Sequence, residues 1–290
     1  MNSGPADNRP LAWVTGAGGL IGHYLVESAV SSAPGWKVLG LTRADFDLTD
    51  SAATERRFTQ DQPALVIHCA ALSRSGDCEA NPTLAWKTNV EATTRLAQLA
   101  ARARFIFFSS DMVFDGEQGH YDESAPMNPL SVYGKTKAAA ERELSGHPGA
   151  LIIRTSLNGG ASPTADRGFN EQLRREWQAG RTTTLFTDEY RSPIAAEVTA
   201  RAVWDLAQRA SPGIYHVAGS ERLSRWDLGR LIAGRWPQLN PQIRPGSLKE
   251  YRGPKRPADV SLHCGKAQEL LAAPLPRFSD WLRSRPDVLF

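Results

Sequence analysis

Tyr133 and Lys137 stand four residues apart in a stretch, 130–144, made largely of good helix formers. At that spacing both side chains leave the same face of a helix. A phenol beside an ammonium is a proton-transfer pair. Tyrosine ordinarily ionises near pH 10, at about 10, and an adjacent cation favours the phenolate, so Lys137 is expected to draw the Tyr133 pKa down toward neutrality. Ser110 ends a short apolar run beginning at Arg104, where its hydroxyl could hold a carbonyl oxygen in line for such a transfer. Ser110, Tyr133 and Lys137 are therefore the candidate catalytic residues.

A Tyr and Lys at helical spacing are common, so the neighbouring motifs decide what they mean. Gly16, Gly19 and Gly22 fall at three-residue intervals in Gly16-Ala17-Gly18-Gly19-Leu20-Ile21-Gly22, directly after the apolar run Leu11 to Thr15. Glycines so spaced let a chain turn tightly from strand to helix and bring its backbone close to a pyrophosphate, which then sits on the helix N-terminus. Leu20 and Ile21, inside this turn, join the glycines as candidate cofactor-binding residues. About 20 residues further on, where an acidic residue would take the ribose 2′-hydroxyl of NAD, the chain has Thr42 and Arg43. Arg43 suits a 2′-phosphate, so NADP(H) is the preferred cofactor. NAD(H) stays open because Asp45 is near enough to bind a ribose, and Arg43 read blandly is a solvated surface charge.

These residues need a scaffold that gathers strand ends. Short apolar runs at Leu11 to Thr15, Trp36 to Leu41, Ala64 to Cys69, Arg104 to Phe108 and Ala150 to Arg154 alternate with helical patterns at Tyr24 to Val30, Asp50 to Gln60, Pro82 to Ala103 and Leu130 to Leu144. Strands alternating with helices predict right-handed βαβ units. The expected fold is α/β, a Rossmann-type doubly wound parallel sheet over 11–156. Gly213 to Ala218 is apolar enough to add a strand to the same sheet. A smaller, interleaved C-terminal substrate domain is therefore expected from 157–194 plus 219–290, with about 195–218 returning to the nucleotide-binding part. Helical patterns in this half run over Phe169 to Ala179, Ala195 to Arg209, Arg225 to Trp236 and Gly265 to Leu271. Residues 1–10 read as a flexible tail.

Composition narrows the class without naming a function. The 290 residues are 41% hydrophobic and 22% charged, as in ordinary globular chains, and long enough for a large core. A net charge of +3 from scattered Lys and Arg gives no footprint for nucleic acid. Cys69, Cys78 and Cys264 are odd in number and far apart, which fits free thiols in a reducing compartment. No targeting pattern opens the sequence, and no apolar run reaches the roughly 20 residues of a membrane span. A cytoplasmic, soluble protein without a metal site is expected. His68, within an apolar strand, reads as a core histidine, because no second ligand is spaced to use it. Trp177, Trp226, Trp236 and Trp281 read as packing residues. Arg191, Arg244, Arg252 and Arg256 are candidates to pair a pyrophosphate.

Taken in chain order, the glycine turn, Ala70-Ala71 at the third strand end, Ser109-Ser110-Asp111 at the fourth, and the Tyr133–Lys137 pair resemble the extended short-chain dehydrogenase/reductase superfamily over nearly the whole chain. Within it the chain is most similar to the dTDP-4-dehydrorhamnose reductase family. That likeness lies in Ala44-Asp45-Phe46-Asp47-Leu48-Thr49-Asp50, Ser109 through Gly116, Tyr133-Gly134-Lys135-Thr136-Lys137, Arg154-Thr155-Ser156, Gly213 through Gly219, and Arg256-Pro257 leading to Ser261-Leu262. The resemblance implies reduction of a nucleotide-bound 4-keto-6-deoxy sugar, as in dTDP-rhamnose biosynthesis. Hydride passes from the nicotinamide to the sugar C4, and Tyr133 protonates the oxygen.

It further implies that Ser110 meets the substrate oxygen and Lys137 the nicotinamide ribose. Asp47 and Leu48 would lie near the adenine, an Asp in such a turn being equally suited to cap a helix. Ala70 and Ala71 would line the cofactor crevice. Asn89, a poor helix former in mid-helix, would bridge backbone and site water. Asp111, Met112 and Arg256 would face the substrate. The chain departs from the family at Ser75-Gly76, where a Val-Asp pair is usual, at Met112, where an aromatic is usual, and at Leu20, often Gln. Two alternatives follow from the same resemblance. Regulatory subunits of methionine adenosyltransferase keep a similar Tyr and Lys yet act by binding a partner, and nucleotide-sugar epimerases and dehydratases share the fold. A homodimer is left open.

Overall fold

Five apolar runs form the strands β1 (Leu11–Thr15), β2 (Lys37–Leu41), β3 (Leu65–His68), β4 (Arg104–Ser110) and β5 (Ala150–Thr155), and Gly213–Val217 adds β6. The computed structural model describes residues 7–288 and 290. All six strands pair in parallel in the spatial order β6-β5-β4-β3-β1-β2. Strand order reverses between β1 and β3, because the chain steps outward to β2 and then crosses back. In open α/β sheets ligands bind at such a switch point, outside the carboxyl ends of the strands.

Both faces of the sheet are covered, which is why its strands are apolar without alternation. Val14, Ile67, Ile106, Phe108 and Ile153 face one side, packed with Leu25 and Ala29 of α1 (Leu20–Ser32) and Trp204 of the helix Ala196–Arg209. Trp204 Nε1 donates to Leu25 O at 3.0 Å, fixing the two helices together. Trp13, Val66, Phe105, Phe107 and Ile152 face the other side, against Leu96, Ala97 and Ala140. Trp177, Trp236 and Trp281 are buried in the first of these cores and Trp226 packs on it, so the four tryptophans serve packing.

Element boundaries differ from expectation in instructive places. Helix α1 opens at Leu20, inside the stretch read as turn, since the backbone is already helical once Gly19 has made the corner. The helix expected over Pro82 to Ala103 comes as α-helix Pro82–Trp86, a π-turn Lys87–Glu91 and α-helix Ala92–Leu99. Helices Ser75–Ala80 and Phe278–Ser284 were not expected, nor was the parallel pairing of Thr183–Phe186 with Ile243–Gly246. Of the tail expected over 1–10, residues 1–6 lie outside the described residues. Arg9 donates to Asp7 Oδ1 at 2.8 Å and to the Pro34 carbonyl at 3.2 Å. Among the described residues no helix is long and apolar enough to cross a membrane.

Candidate active site

The glycine turn fits the switch point closely. Gly16 adopts φ +71, and a Cβ there would lie 2.7 Å from Ala70 N, so only glycine lets β1 end against the end of β3. Beneath this contact a chain of hydrogen bonds ties β1 and β3 to the next helix. Thr93 Oγ1 donates to Asn89 O (2.8 Å) and so accepts from His68 Nε2 (3.0 Å), leaving His68 Nδ1 to accept from Thr15 Oγ1 (2.8 Å). Burial holds the His68 pKa down to about 3, so the ring is neutral, as a satisfied core histidine should be.

Asn89 is fully buried on the π-turn. Its side chain pairs with Leu72 N at 2.7 Å and Leu72 O at 2.9 Å, and donates to Thr136 Oγ1 at 3.0 Å. It thereby fastens the loop after Ala70-Ala71 to helix α2 (Val132–Glu143), which carries Tyr133 and Lys137. Gly134 lets this helix lie on the turn Asp111–Val113, because a Cβ there would lie 2.2 Å from Met112 O. Ser131 caps the helix, accepting from Gly134 N at 3.1 Å.

Ser110, Tyr133 and Lys137 come together. The Tyr133 helix packs at Gly134 on the Asp111–Val113 turn that follows Ser110, and Ser110 Oγ accepts from Met112 N at 3.2 Å and donates to Asp111 Oδ1 at 3.0 Å. Lys137 is 3% exposed, donates to Phe108 O at 2.8 Å, and sits 5.9 Å from the Tyr133 ring centroid. Burial lowers its pKa to about 8 against the opposing pull of nearby Cys69 and Glu141. The expectation that Lys137 lowers the Tyr133 pKa does not hold. Burial, and next the Asp111 carboxylate, push the phenol well above its ordinary value, so it stays protonated.

Behind this set lies a second buried group. Arg154 on β5 grips Glu141 with Nη2 to Oε2 at 2.7 Å and Nε to Oε1 at 3.1 Å, and Ser109 Oγ also donates to Glu141 Oε1. Glu141 is one turn beyond Lys137, and Ser109 immediately precedes Ser110. The pair therefore locks the helix register against β4 and β5.

At the second strand end, Thr42 N and Oγ1 both donate to Asp45 Oδ2 at 2.8 Å, which ties that oxygen to its own turn. Arg43 is exposed on that turn, next to Thr42, whose Cγ2 lies 3.8 Å from where a Gly18 Cβ would stand. Asp47 accepts from Thr49 N at 2.8 Å; the cap of the following helix is Asp50, which accepts from Ala53 N. Leu48 packs partly buried on the second core.

The arginine candidates separate. Arg244 reaches Thr184 Oγ1 and Arg252 reaches Lys249 O, both exposed and apart from the crevice. Arg191 and Arg256 instead converge on Glu189, which is fully buried. Arg256 donates to it in bidentate fashion, at 2.8 and 3.0 Å, so its guanidinium is engaged rather than free. Arg225 approaches Glu189 at 3.8 Å and stacks 3.8 Å above the Phe169 ring. The three arginines hold the Glu189 carboxyl down to about 2 despite its burial. Arg191 also pairs with Asp111 Oδ1 at 2.9 Å, and Met112 Sδ accepts from it at 2.9 Å. Sequence reasoning missed Glu189 and Arg225, which carry no local signal.

The family described as RmlD substrate binding domain matches residues 12–286 of this chain. The chain belongs to that family. A probable low-salt glycan biosynthesis reductase, Agl14, of Haloferax volcanii is 32% identical over 237 residues, covering 76% of this chain and 78% of that protein. Methionine adenosyltransferase 2 subunit beta of Xenopus laevis is 29% identical over 275 residues, covering 89% and 82%. A dTDP-4-dehydrorhamnose reductase from Clostridium acetobutylicum superimposes with a TM-score of 0.85 at 25% identity, over 94% of this chain and 97% of that one. The Rossmann-type α/β expectation and the extended short-chain dehydrogenase/reductase resemblance thus both hold.

Proposed function

We propose that this protein reduces the 4-keto group of a nucleotide-bound 6-deoxy sugar, with NADP(H) preferred over NAD(H). The observation that carries the reading is that Ser110, with the helix of Tyr133 and Lys137 packed on the turn after it, stands at the carboxyl end of the same parallel sheet whose β1 ends in the Gly16 turn. The residues there fit a dinucleotide. A Cβ on Gly18 would meet nothing nearer than 3.8 Å, so the turn is open above, and Gly19 caps α1 with no side chain competing for the first N–H groups. Arg43, exposed at the turn, suits a 2′-phosphate, and Asp45 is already engaged.

A bound reduced nicotinamide would supply hydride to the sugar carbonyl carbon. Ser110 holds the carbonyl oxygen in place with its hydroxyl. Tyr133 gives its phenolic proton to the oxygen as negative charge develops there, which completes the alcohol. A phenol kept protonated is in the form a donor needs. Lys137, buried beneath, holds the resulting phenolate by its positive charge until a proton returns from solvent. Asn89 keeps the Leu72 loop and the helix in register, and residues 157–194 and 219–290 supply the substrate side, with Met112 and Arg256 at its edge.

The test is direct: purified protein with NADPH and a dTDP-4-keto-6-deoxy sugar, followed by the absorbance of the reduced nicotinamide. Saturable oxidation supports the reading. A protein that binds NADPH yet neither turns over nor shows saturable affinity for any dTDP-, UDP- or GDP-sugar sinks it. The likeness to methionine adenosyltransferase 2 subunit beta then favours a cofactor-binding subunit that acts on a partner protein.

A further inference from the structure

Asp111 is a carboxylate in an awkward place for a proton-donating site. It follows Ser110, is almost wholly buried, and takes Ser110 Oγ on Oδ1 at 3.0 Å and Ser156 Oγ on Oδ2 at 2.6 Å. Left uncompensated, its charge would oppose the developing oxyanion and keep the Ser110 hydrogen for itself. Arg191 answers it with Nη1 on the same Oδ1 at 2.9 Å. The guanidinium is aimed from behind by Glu189 Oε1 at 3.3 Å and flanked by Met112 Sδ at 2.9 Å.

We propose that Arg191 is a positioning residue for proton transfer, its ion pair with Asp111 setting the charge that Tyr133 and Ser110 meet. The role rests on reading Tyr133 as the proton donor. The groups around Tyr133 leave this work to Arg191. The tyrosine's helix packs at Gly134 on the Asp111–Val113 turn at the end of β4, with a would-be Cβ 2.2 Å from Met112 O, and Arg191 reaches that turn from the short strand Tyr190–Arg191. Glu79, on the Cys78 helix Ser75–Ala80, accepts from Val132 N at 2.8 Å. Lys137, on the tyrosine's own helix, donates to Phe108 O at 2.8 Å and, among the described residues, bonds no carboxylate of this group. Beyond Arg191, Arg225 and Arg256 are drawn to Glu189. Arg191 is thus the cation bonded to the carboxylate of the turn on which the tyrosine's helix packs.

The experiment is an ultraviolet tyrosinate titration, with each variant's Tyr133→Phe counterpart subtracted to remove the other five of the six tyrosines. Asp111→Asn keeps the side-chain shape and leaves Arg191 uncompensated there, so Tyr133 should ionise about 1–3 pH units lower than in the wild type. Adding Arg191→Met should reverse most of that shift. Adding Arg191→Lys, which keeps the charge, should preserve it. Equal titrations for Asp111→Asn and Asp111→Asn/Arg191→Met would overturn the inference, as would an Asp111→Asn titration like that of the wild type. Because the titration needs no turnover, coupling found in a protein inert toward every sugar nucleotide would uphold the pair's electrostatic role while the reductase reading failed.

Discussion

Arg154 and Glu141 offer a test of what holds the helix of Tyr133 and Lys137 in place. Each side chain is 2% exposed, and three guanidinium contacts between 2.7 and 3.2 Å join them. Arg154→Met keeps much of the volume but leaves a buried carboxylate with Ser109 Oγ as its remaining partner. Breaking one side of such a pair costs about 3–5 kcal/mol, because the surviving charge is uncompensated. That is a large part of an ordinary domain's stability, about 5–15 kcal/mol, and corresponds to a fall in Tm of about 6–20 °C for a chain of this size. Arg154→Met/Glu141→Leu removes both charges and should lie within about 2 kcal/mol of the wild type.

Urea unfolding followed by both far-ultraviolet circular dichroism and tryptophan fluorescence would measure the cycle, with coincident transitions required before free energies are compared. The decisive quantity is the coupling. A single Arg154→Met costing under about 1 kcal/mol, or a double variant whose loss equals the sum of the singles, would refute the claim that the pair acts as one unit. Activity should follow stability only in part. Glu141 is one turn from Lys137, so the folded double variant should still lose turnover if helix register matters.

Three further outcomes are expected. Tyr133→Phe should lower kcat by about 10²–10⁴ with NADPH affinity intact, measured by steady-state kinetics and calorimetry; retained turnover removes Tyr133 from the mechanism. Arg43→Ala should weaken NADPH by about 1.5–3 kcal/mol and leave NADH nearly unchanged, and a uniform loss would point to folding instead. Lys137 titrates at about 8 in the fold against 10.5 for the free side chain, so the unfolded chain binds more protons between those values and the burden of burying its charge is present below pH 8 and relieved as pH rises toward 10.5. The stability of Lys137→Met relative to the wild type should therefore fall across that window, and a difference independent of pH would contradict it.

Much of this scaffold was readable because its determinants are local. Apolar runs marked the sheet strands since a parallel strand covered on both faces has no polar side to interrupt it. Gly16 was readable from spacing, and its reason, the Ala70 backbone at 2.7 Å from a would-be Cβ, lies at the strand ends that the motif itself defines. Asn89 stood out as a poor helix former, and the π-turn around it is the local distortion that aims its side chain at Leu72. Non-local charge pairing was not readable. Nothing in the residues around Glu189 says that Arg225 and Arg256 meet there, or that Arg191 crosses to Asp111. The spacing of Tyr133 and Lys137 gave their shared face but neither the direction of the ammonium, which turns to Phe108 O, nor the depth of burial and the Asp111 carboxylate, which turn the expected fall in the tyrosine pKa into a rise.

The two charged networks around the helix of Tyr133 and Lys137 differ in a way that separates support from the proposed chemistry. On the Glu141 side the carboxylate and guanidinium answer each other, Ser109 adds a donor, and Arg154 lies 5.1 Å from the Phe114 ring centroid; buried and paired, such a network fixes geometry. On the Asp111 side two carboxylates face three guanidinium groups, and the buried Arg191 Nε and Arg225 Nη1 have no hydrogen-bond partner among the described residues. Buried donors are seldom left unmet. These two unmet donors belong to the Asp111–Glu189 group, and the closed network lies on the Glu141 side. A substitution behind the helix should be felt first as lost stability, and one in front of it first as altered proton transfer or anion affinity.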